Sequence, residues 1–208
     1  MAQYQRRDAF YQRAQREGFR SRAAYKLQEI QRRHRLLRTG QRVLDLGCWP
    51  GSWLQLAARE VGASGRVVGV DLAALEPLEI ANVIALQGDF TEASVRDRLI
   101  ELLEGRPCDV LLSDMAPKLT GVRARDRALE EALLEAVEGA LPQLLRPGGH
   151  LLVKLLEGPE AQEITLRLRG RFERAQSTRP RATRKGSSER YLLGTGFLGE
   201  PRSTRRAT

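Results

Sequence analysis

Cysteine and histidine are scarce in this 208-residue chain. Cys48 and Cys108 lie far apart, and His34 and His150 are equally isolated. Such spacing builds neither a disulfide framework nor a zinc cluster, so no metal site is expected. No apolar run reaches the ~20 residues that cross a bilayer, and the opening MAQYQRRDAF lacks the hydrophobic segment of a secretion signal. A cytoplasmic protein with no membrane partner is therefore expected. Lysine is scarce too, with four (Lys26, Lys118, Lys154 and Lys185) against 31 arginines. In so arginine-rich a composition, a retained lysine points to a place where a cation must be able to give up a proton.

Charge of one sign is missing from two regions. Residues 1–38 hold 11 basic side chains against 3 acidic, and residues 167–208 hold 12 against 3, whereas residues 39–166 hold 12 against 20. Two cationic flanks around an acidic body favour a polyanionic partner such as nucleic acid over merely solvated helix faces and a frayed tail. Tyr4, Phe10, Tyr11, Phe19 and Tyr25 are interleaved with the arginines of the first flank. Stacking on bases is open to them, but packing on a helix face accounts better for most.

Residues 43–53 read VLDLGCWPGSW. Val43, Leu44 and Leu46 form the short apolar run of a buried parallel strand, interrupted near its end by Asp45. A carboxylate there needs a partner. Gly47 and Gly51 permit a tight turn and close approach of a ligand to the backbone. The following SWLQLAARE has helical spacing, with Ser52 as a candidate N-cap. Strand, glycine turn and helix open a nucleotide-type site in a doubly wound sheet. The glycine spacing is not G-x-G-x-x-G, so the dinucleotide fingerprint is unmatched. An acid with one or two glycines in this turn is instead the pattern of S-adenosylmethionine (SAM) methyltransferases.

Further along, residues 3–37 are expected to be largely helical, broken near Gly18, with Ser21 a candidate cap for the second segment. Strands are expected over 66–70, 83–86, 109–112 and 150–155, with two more near 172–176 and 190–193. Helices are expected over 91–103 (capped by Thr91), 128–145 and 160–168, with Arg146-Pro147-Gly148-Gly149 as the turn into the fifth strand and 115–126 as a loop over the site. This alternation implies an α/β, Rossmann-like, mostly parallel seven-stranded sheet flanked by helices. Asp45, Asp71, Asp89 and Asp114 then end four successive strands on one crevice, with Asp71 placed for ribose hydroxyls and Asp89 for an adenine amino group. An edge this acidic suits a cationic ligand such as the SAM sulfonium. A nicotinamide cofactor would instead need donors for its pyrophosphate.

Lys154 sits inside HLLVKLLEG, where its near neighbours are apolar. A sheet-edge lysine reaching to water is one reading. A lysine kept neutral at a strand end as a general base is the other. At these residues the sequence resembles the FtsJ/RrmJ-like ribosomal RNA ribose 2′-O-methyltransferases. The likeness runs from about Gly18 to Phe197 and rests on SRAAYKL, VLDLGCWPGSW, GVDL, QGDF, LLSDMAP, PGGHLLVK and SSERYLLGTGF. It implies a Lys-Asp-Lys-Glu catalytic tetrad on Lys26, Asp114, Lys154 and Glu189. It also implies SAM contacts by Gly51, Trp53, Asp71, Asp89 and Asp114, to which the strand-end reading adds Asp45 and Gly47. Lys118 departs from the asparagine of the bacterial type.

The organisation expected is a basic helical extension over 1–38, a SAM-dependent methyltransferase domain over 39–198 and a basic, disordered tail over 199–208. The expected function is SAM-dependent 2′-O-methylation of a ribose in ribosomal RNA, a uridine of the large subunit (23S), by a monomer. A methyltransferase for small molecules or proteins has no need of broad cationic flanks. A silent RNA-binding assembly factor has no need of the tetrad. If arginine–phosphate contacts dominate, log K for ribosomal RNA should fall linearly with log salt, losing about 10-fold or more between 50 and 200 mM. Filter binding across that range checks this, and a flat salt dependence would contradict the cationic platform.

Overall fold

A computed structural model describes residues 9–117, 120–155, 160–183 and 189–199. The expectations for Tyr4, Lys118, Lys185 and the tail beyond Gly199 lie outside the described residues. Thirteen elements follow in order: α1 (Ala9–Arg16), α2 (Ala24–His34), β1 (Arg42–Leu46), α3 (Ser52–Val61), β2 (Arg66–Asp71), β3 (Val83–Gln87), α4 (Ala93–Leu102), β4 (Cys108–Ser113), α5 (Arg123–Leu144), β5 (Leu145–Leu155), α6 (Glu160–Gly170), β6 (Phe172–Thr178) and β7 (Arg190–Phe197).

The strands form one seven-stranded sheet in the order β3-β2-β1-β4-β5-β7-β6. The β1, β2, β3, β4 and β5 pairings are parallel, while β7 runs antiparallel to both β5 and β6. Successive side chains on a strand face opposite ways, and the buried apolar residues sort accordingly. Val43, Val67, Val110, Leu112, Leu152 and Leu193 share a cluster with residues of α2 and α3. Leu44, Val68, Leu111, Leu151, Val153 and Leu192 share the other with residues of α4, α5 and α6. Central strands buried on both faces explain the near-continuous apolar runs.

The chain leaves β1 toward β2 and β3, then returns to lay β4 on the other side of β1. The crevice between the carboxyl ends of β1 and β4 is thus the topological switch point, where open α/β sheets bind ligands. The loop after β1 is fixed there: Gly47 N and Cys48 N both donate to Val70 O, at 2.8 and 3.1 Å.

Several local expectations are corrected. Ser52 does not cap α3. The cap is Gly51, at φ 105°, and the Ser52 hydroxyl is 2.8 Å from that of Ser21. Thr91 does not cap α4, because its amide and hydroxyl both donate to Asp89 and Glu92 takes the cap position. The turn at 146–149 is instead a bulge within β5: Cys108 pairs with Leu145 and Val110 with His150, leaving 146–149 outside the ladder.

The first flank is woven into the body. Ala14, Phe19, Tyr25, Leu27 and Ile30 lie in the same buried cluster as β1 and α3. Several of its arginines are engaged within the protein. Arg13 pairs with Glu17, Arg33 with Glu29, and Arg22 donates to Ala182 O. The Arg20 guanidinium donates to Pro50 O, Glu76 O and Pro77 O. The flank is therefore less purely an RNA platform than its composition suggests. Phe19 and Tyr25 stack edge-on at 5.9 Å, and Phe10 lies 5.7 Å from Tyr25, which is the packing role expected of most of these aromatics.

Gly69 shows how closely β2 supports the loop after β1. A Cβ there would stand 2.8 Å from Cys48 Sγ and 2.9 Å from Leu54 Cδ2. Gly69→Ala is expected to destabilise the protein by about 1–3 kcal/mol through overpacking, or a Tm lower by roughly 3–10 °C. Calorimetry or thermal circular dichroism measures this, and an unchanged Tm would mean that the loop yields freely.

Candidate active site

A cleft of about 580 Å3 opens at the switch point. Gly47, Asp71, Asp89, Asp114 and Met115 are among the residues lining it, with the exposed side chains of Trp49 and Leu72 at its rim. Beside it lies a smaller pocket of about 50 Å3 between the glycine loop and α2, lined by Asp45, Gly47, Ser52, Trp53 and Asp114, among others. Both volumes meet at Gly47 and Asp114. Gly47 takes φ 76°, and a Cβ there would run into Met115 Cγ at 2.1 Å, so this turn needs glycine.

Four charged side chains from four separate elements converge next to the cleft. Asp114 directly follows β4. Lys154 lies on β5, where Ser113 pairs with Val153, so the two are brought side by side. Residues directly opposite on antiparallel strands share a face, and β7 places Tyr191 opposite Lys154. Glu189 stands just before β7. Lys26 comes from α2, which is pinned by the Trp53 indole N–H donating to Ala23 O at 2.8 Å.

The contacts are close. Lys154 Nζ donates to Asp114 O at 2.6 Å and lies 3.2 Å from Asp114 Oδ1. Lys26 Nζ is 3.2 Å from Asp114 Oδ2 and pairs with Glu189 Oε1. The Tyr191 hydroxyl lies 2.7 Å from Asp114 Oδ1 and 2.6 Å from Glu189 Oε1. The four charged side chains are only 11–18% exposed. Burial opposes ionisation of Asp114, but Lys26 and Lys154 outweigh it and hold its carboxyl below the usual range. Burial, with Asp114 and Glu189 beside it, pushes the Tyr191 phenol well up, so it stays protonated.

Asp45 is the opposite case. It is buried at 1% exposure, and Oδ2 has no hydrogen-bond partner among the described residues. Burial first, then the charges of Asp114 and Asp71, push its carboxyl well above the usual range. An orphaned acid at the end of a small pocket is the arrangement a cationic group would complete.

The structure thus brings Lys26, Asp114, Lys154 and Glu189 into one cluster, and places Asp71, Asp89, Gly47 and Asp114 on the cleft. Asp71 already accepts from Trp49 N and Ala73 N, at 2.9 Å each, and its oxygens retain further lone pairs. Gly51 lines neither volume; it caps α3 and is packed by Arg20 and Leu78. Trp53 is 3% exposed and reaches only the small pocket. Sequence reasoning missed Tyr191, which as a lone aromatic in a strand reads as core, and Trp49, whose 60% exposure no spacing could signal. Among the described residues no group of His, Cys, Asp and Glu could hold a metal ion, and no helix is long and apolar enough to cross a membrane.

Residues 19–197 match the model of the FtsJ-like methyltransferase family. A protein of Pseudomonas aeruginosa named ribosomal RNA large subunit methyltransferase E is 42% identical over 193 residues, 93% of this chain and 92% of that protein. One of the same name from Alkalilimnicola ehrlichii is 45% identical over 190 residues, 91% and 90% of the respective chains. Among solved structures, a protein of Plasmodium falciparum described as a ribosomal RNA methyltransferase superposes with a TM-score of 0.77 at 30% identity, covering 87% of this chain and all of that one. Fibrillarin of Aeropyrum pernix, solved with S-adenosyl-L-methionine bound, shares the fold at 18% identity, with a TM-score of 0.59 over 85% of this chain and 75% of its own.

The orphaned acid generates a stability prediction. A carboxyl whose folded-state pKa lies above its unfolded value of about 3.9 makes the folded state bind more protons, so stability falls as pH rises past that value. Asp45→Asn removes this liability. The ligand-free variant is expected to be more stable than the parent at pH 7–8, on the order of 1 kcal/mol or more, with the difference shrinking toward pH 4. Urea unfolding at both pH values tests it, and an equal or lower stability of the variant at pH 8 would contradict the buried-acid assignment.

Proposed function

Because the chain belongs to the FtsJ-like methyltransferase family, we propose that it transfers a methyl group from S-adenosyl-L-methionine to a ribose 2′-hydroxyl of large-subunit ribosomal RNA. The observation that carries this reading is the buried cluster of Lys26, Asp114, Lys154 and Glu189 at the end of an acidic cleft. The target inferred from the family resemblance is a uridine of 23S rRNA within the large ribosomal subunit, acted on in the cytoplasm by a monomer. The names of the relatives support the large subunit, and the cationic flanks support a polyanionic substrate.

The donors fit the cofactor. A cleft of this volume is typical of small-molecule sites, and its acids suit a cation. Asp71 would accept from the ribose hydroxyls. Asp89, whose Oδ1 is taken by Thr91, would turn its other oxygen to the adenine amino group. Asp45, at the end of the small pocket, would hold the cationic amino end. Gly47 lets the backbone approach closely, while Gly51 and Trp53 would act by shaping the loop and α3 around it. When bound, S-adenosyl-L-methionine supplies the methyl group on a sulfonium that departs as a neutral thioether.

Lys154 is the base. A ribose hydroxyl is a poor nucleophile at neutral pH and must lose its proton as it attacks. Two N–H bonds of Lys154 are directed by Asp114, one to its backbone carbonyl and one to Oδ1. A neutral amine held this way has its lone pair in the remaining tetrahedral direction, away from Asp114. The new O–C bond forms as the S–C bond breaks, and the hydroxyl proton goes to that lone pair. Asp114 orients Lys154. Glu189 holds Lys26 in place. Alignment of the hydroxyl with the methyl group supplies much of the rate.

Lys154→Arg keeps the charge but cannot deprotonate. Single-turnover methyl transfer to large ribosomal subunits is expected to fall by ~100-fold or more, with calorimetric SAM affinity retained. The parent rate should rise with pH as Lys154 loses its proton. Near-normal turnover by the variant would remove the base assignment. A loss of SAM binding would show that Lys154 belongs to the cofactor site instead.

A further inference from the structure

We infer that Tyr191 is a positioning residue of the methyl-transfer site, whose single hydroxyl proton, held between Asp114 and Glu189, limits how strongly Asp114 retains a proton on Lys154. The inference rests on Lys154 being the base.

The hydroxyl oxygen lies 2.7 Å from Asp114 Oδ1 and 2.6 Å from Glu189 Oε1, both within the range of charge-assisted bonds. A phenol has one proton and donates to one acceptor at a time. With both carboxylates ionised, one of these contacts would set two oxygens against each other. Water does not steer this choice, because Tyr191 is fully buried, with the Trp53 ring 6.0 Å away and Lys26 Nζ 5.8 Å from its centroid. A phenol beside two carboxylates in a dry site also stays protonated, so it is always a donor.

The acceptor it shares is the decisive one. Asp114 Oδ1 is the same oxygen that lies 3.2 Å from Lys154 Nζ. A hydrogen bond from Tyr191 draws charge from that oxygen and weakens its hold on the Lys154 ammonium. Without the bond, Oδ1 is left to Lys154 alone, and the proton on Lys154 is held more tightly. The other charged groups around Lys154 are Lys26 on α2, Glu189 before β7, and Glu130 on α5, whose carboxyl feels the Lys154 charge. Lys26 and Glu130 keep their contacts when the phenolic hydroxyl is removed, while Glu189, which pairs with Lys26, loses its bond to the phenol.

The test is the pH dependence of single-turnover methyl transfer on large ribosomal subunits by the parent, K154R, Y191F and a form with 3-fluorotyrosine at position 191. In the parent the rate rises with pH, and in K154R this rise is lost. In Y191F the midpoint is expected to move up by about half a pH unit or more, with the high-pH plateau close to the parent's. Fluorine strengthens the phenol as a donor, so that form is expected to move the midpoint down. Unmoved midpoints in both forms would overturn the inference, whatever happens to the plateau, and leave Tyr191 a packing residue. If Y191F fails to bind SAM by calorimetry, the fluorotyrosine form, which keeps ring and hydroxyl, decides alone. A K154R enzyme that keeps the parent's profile would sink the base assignment itself, an outcome distinct from unmoved Tyr191 midpoints.

Discussion

A buried carboxylate must be surrounded by partners, and the cluster around Asp114 is organised by that requirement. Its side chain, 18% exposed, takes Lys26 on one oxygen and Lys154 and Tyr191 on the other. Removing either lysine would leave the remaining charges unbalanced at low dielectric. Each partner arrives on a different element, so the demand reaches into the topology. The antiparallel return of β7 between β5 and β6 is what puts Tyr191 beside Lys154. The docking of α2 on α3, through the Trp53–Ala23 and Ser21–Ser52 bonds, is what delivers Lys26.

The neighbouring acid follows the opposite logic. Among the described residues Asp45 has no partner for one oxygen, in a place where its charge is disfavoured by burial and by two further aspartates. Local rules for a stable core are broken there, as happens where a protein keeps room for a ligand. The two acids stand on either side of the switch point. One is satisfied within the protein; the other keeps an oxygen without a hydrogen-bond partner among the described residues. Both line the small pocket beside Gly47, where Met115 leaves no room for a larger residue.

Much of this was legible in the chain because its chemistry breaks patterns. Lys154 stands out as a lysine in an apolar strand, and Asp45, Asp71, Asp89 and Asp114 as acids ending strands. Element order was readable from periodicity, including the two late strands that pair antiparallel. What was not legible depends on three-dimensional neighbours. Tyr191 looks like any core aromatic until β7 is laid against β5. The two tryptophans of CWPGSW cannot be told apart by spacing, yet one is buried against α2 and the other stands in solvent at the cleft. Thr91 follows the pattern of a helix cap, but Asp89 accepts both of its donors first. Arginine counts predicted charge on the first flank, but not that Arg20 and Arg22 would use theirs on backbone carbonyls.

Arg20 has a consequence for how such a protein can change over evolution. Its guanidinium joins the chain ahead of α2 to the glycine loop at Pro50 and to the segment at Glu76 and Pro77, only six residues before Lys26. The amino-terminal segment is therefore not a detachable module. It cannot be exchanged for another segment without also disturbing the glycine loop and withdrawing Lys26 from the buried charged cluster. New specificity is left to piecemeal change at exposed arginines such as Arg32, while the backbone that carries them is inherited whole.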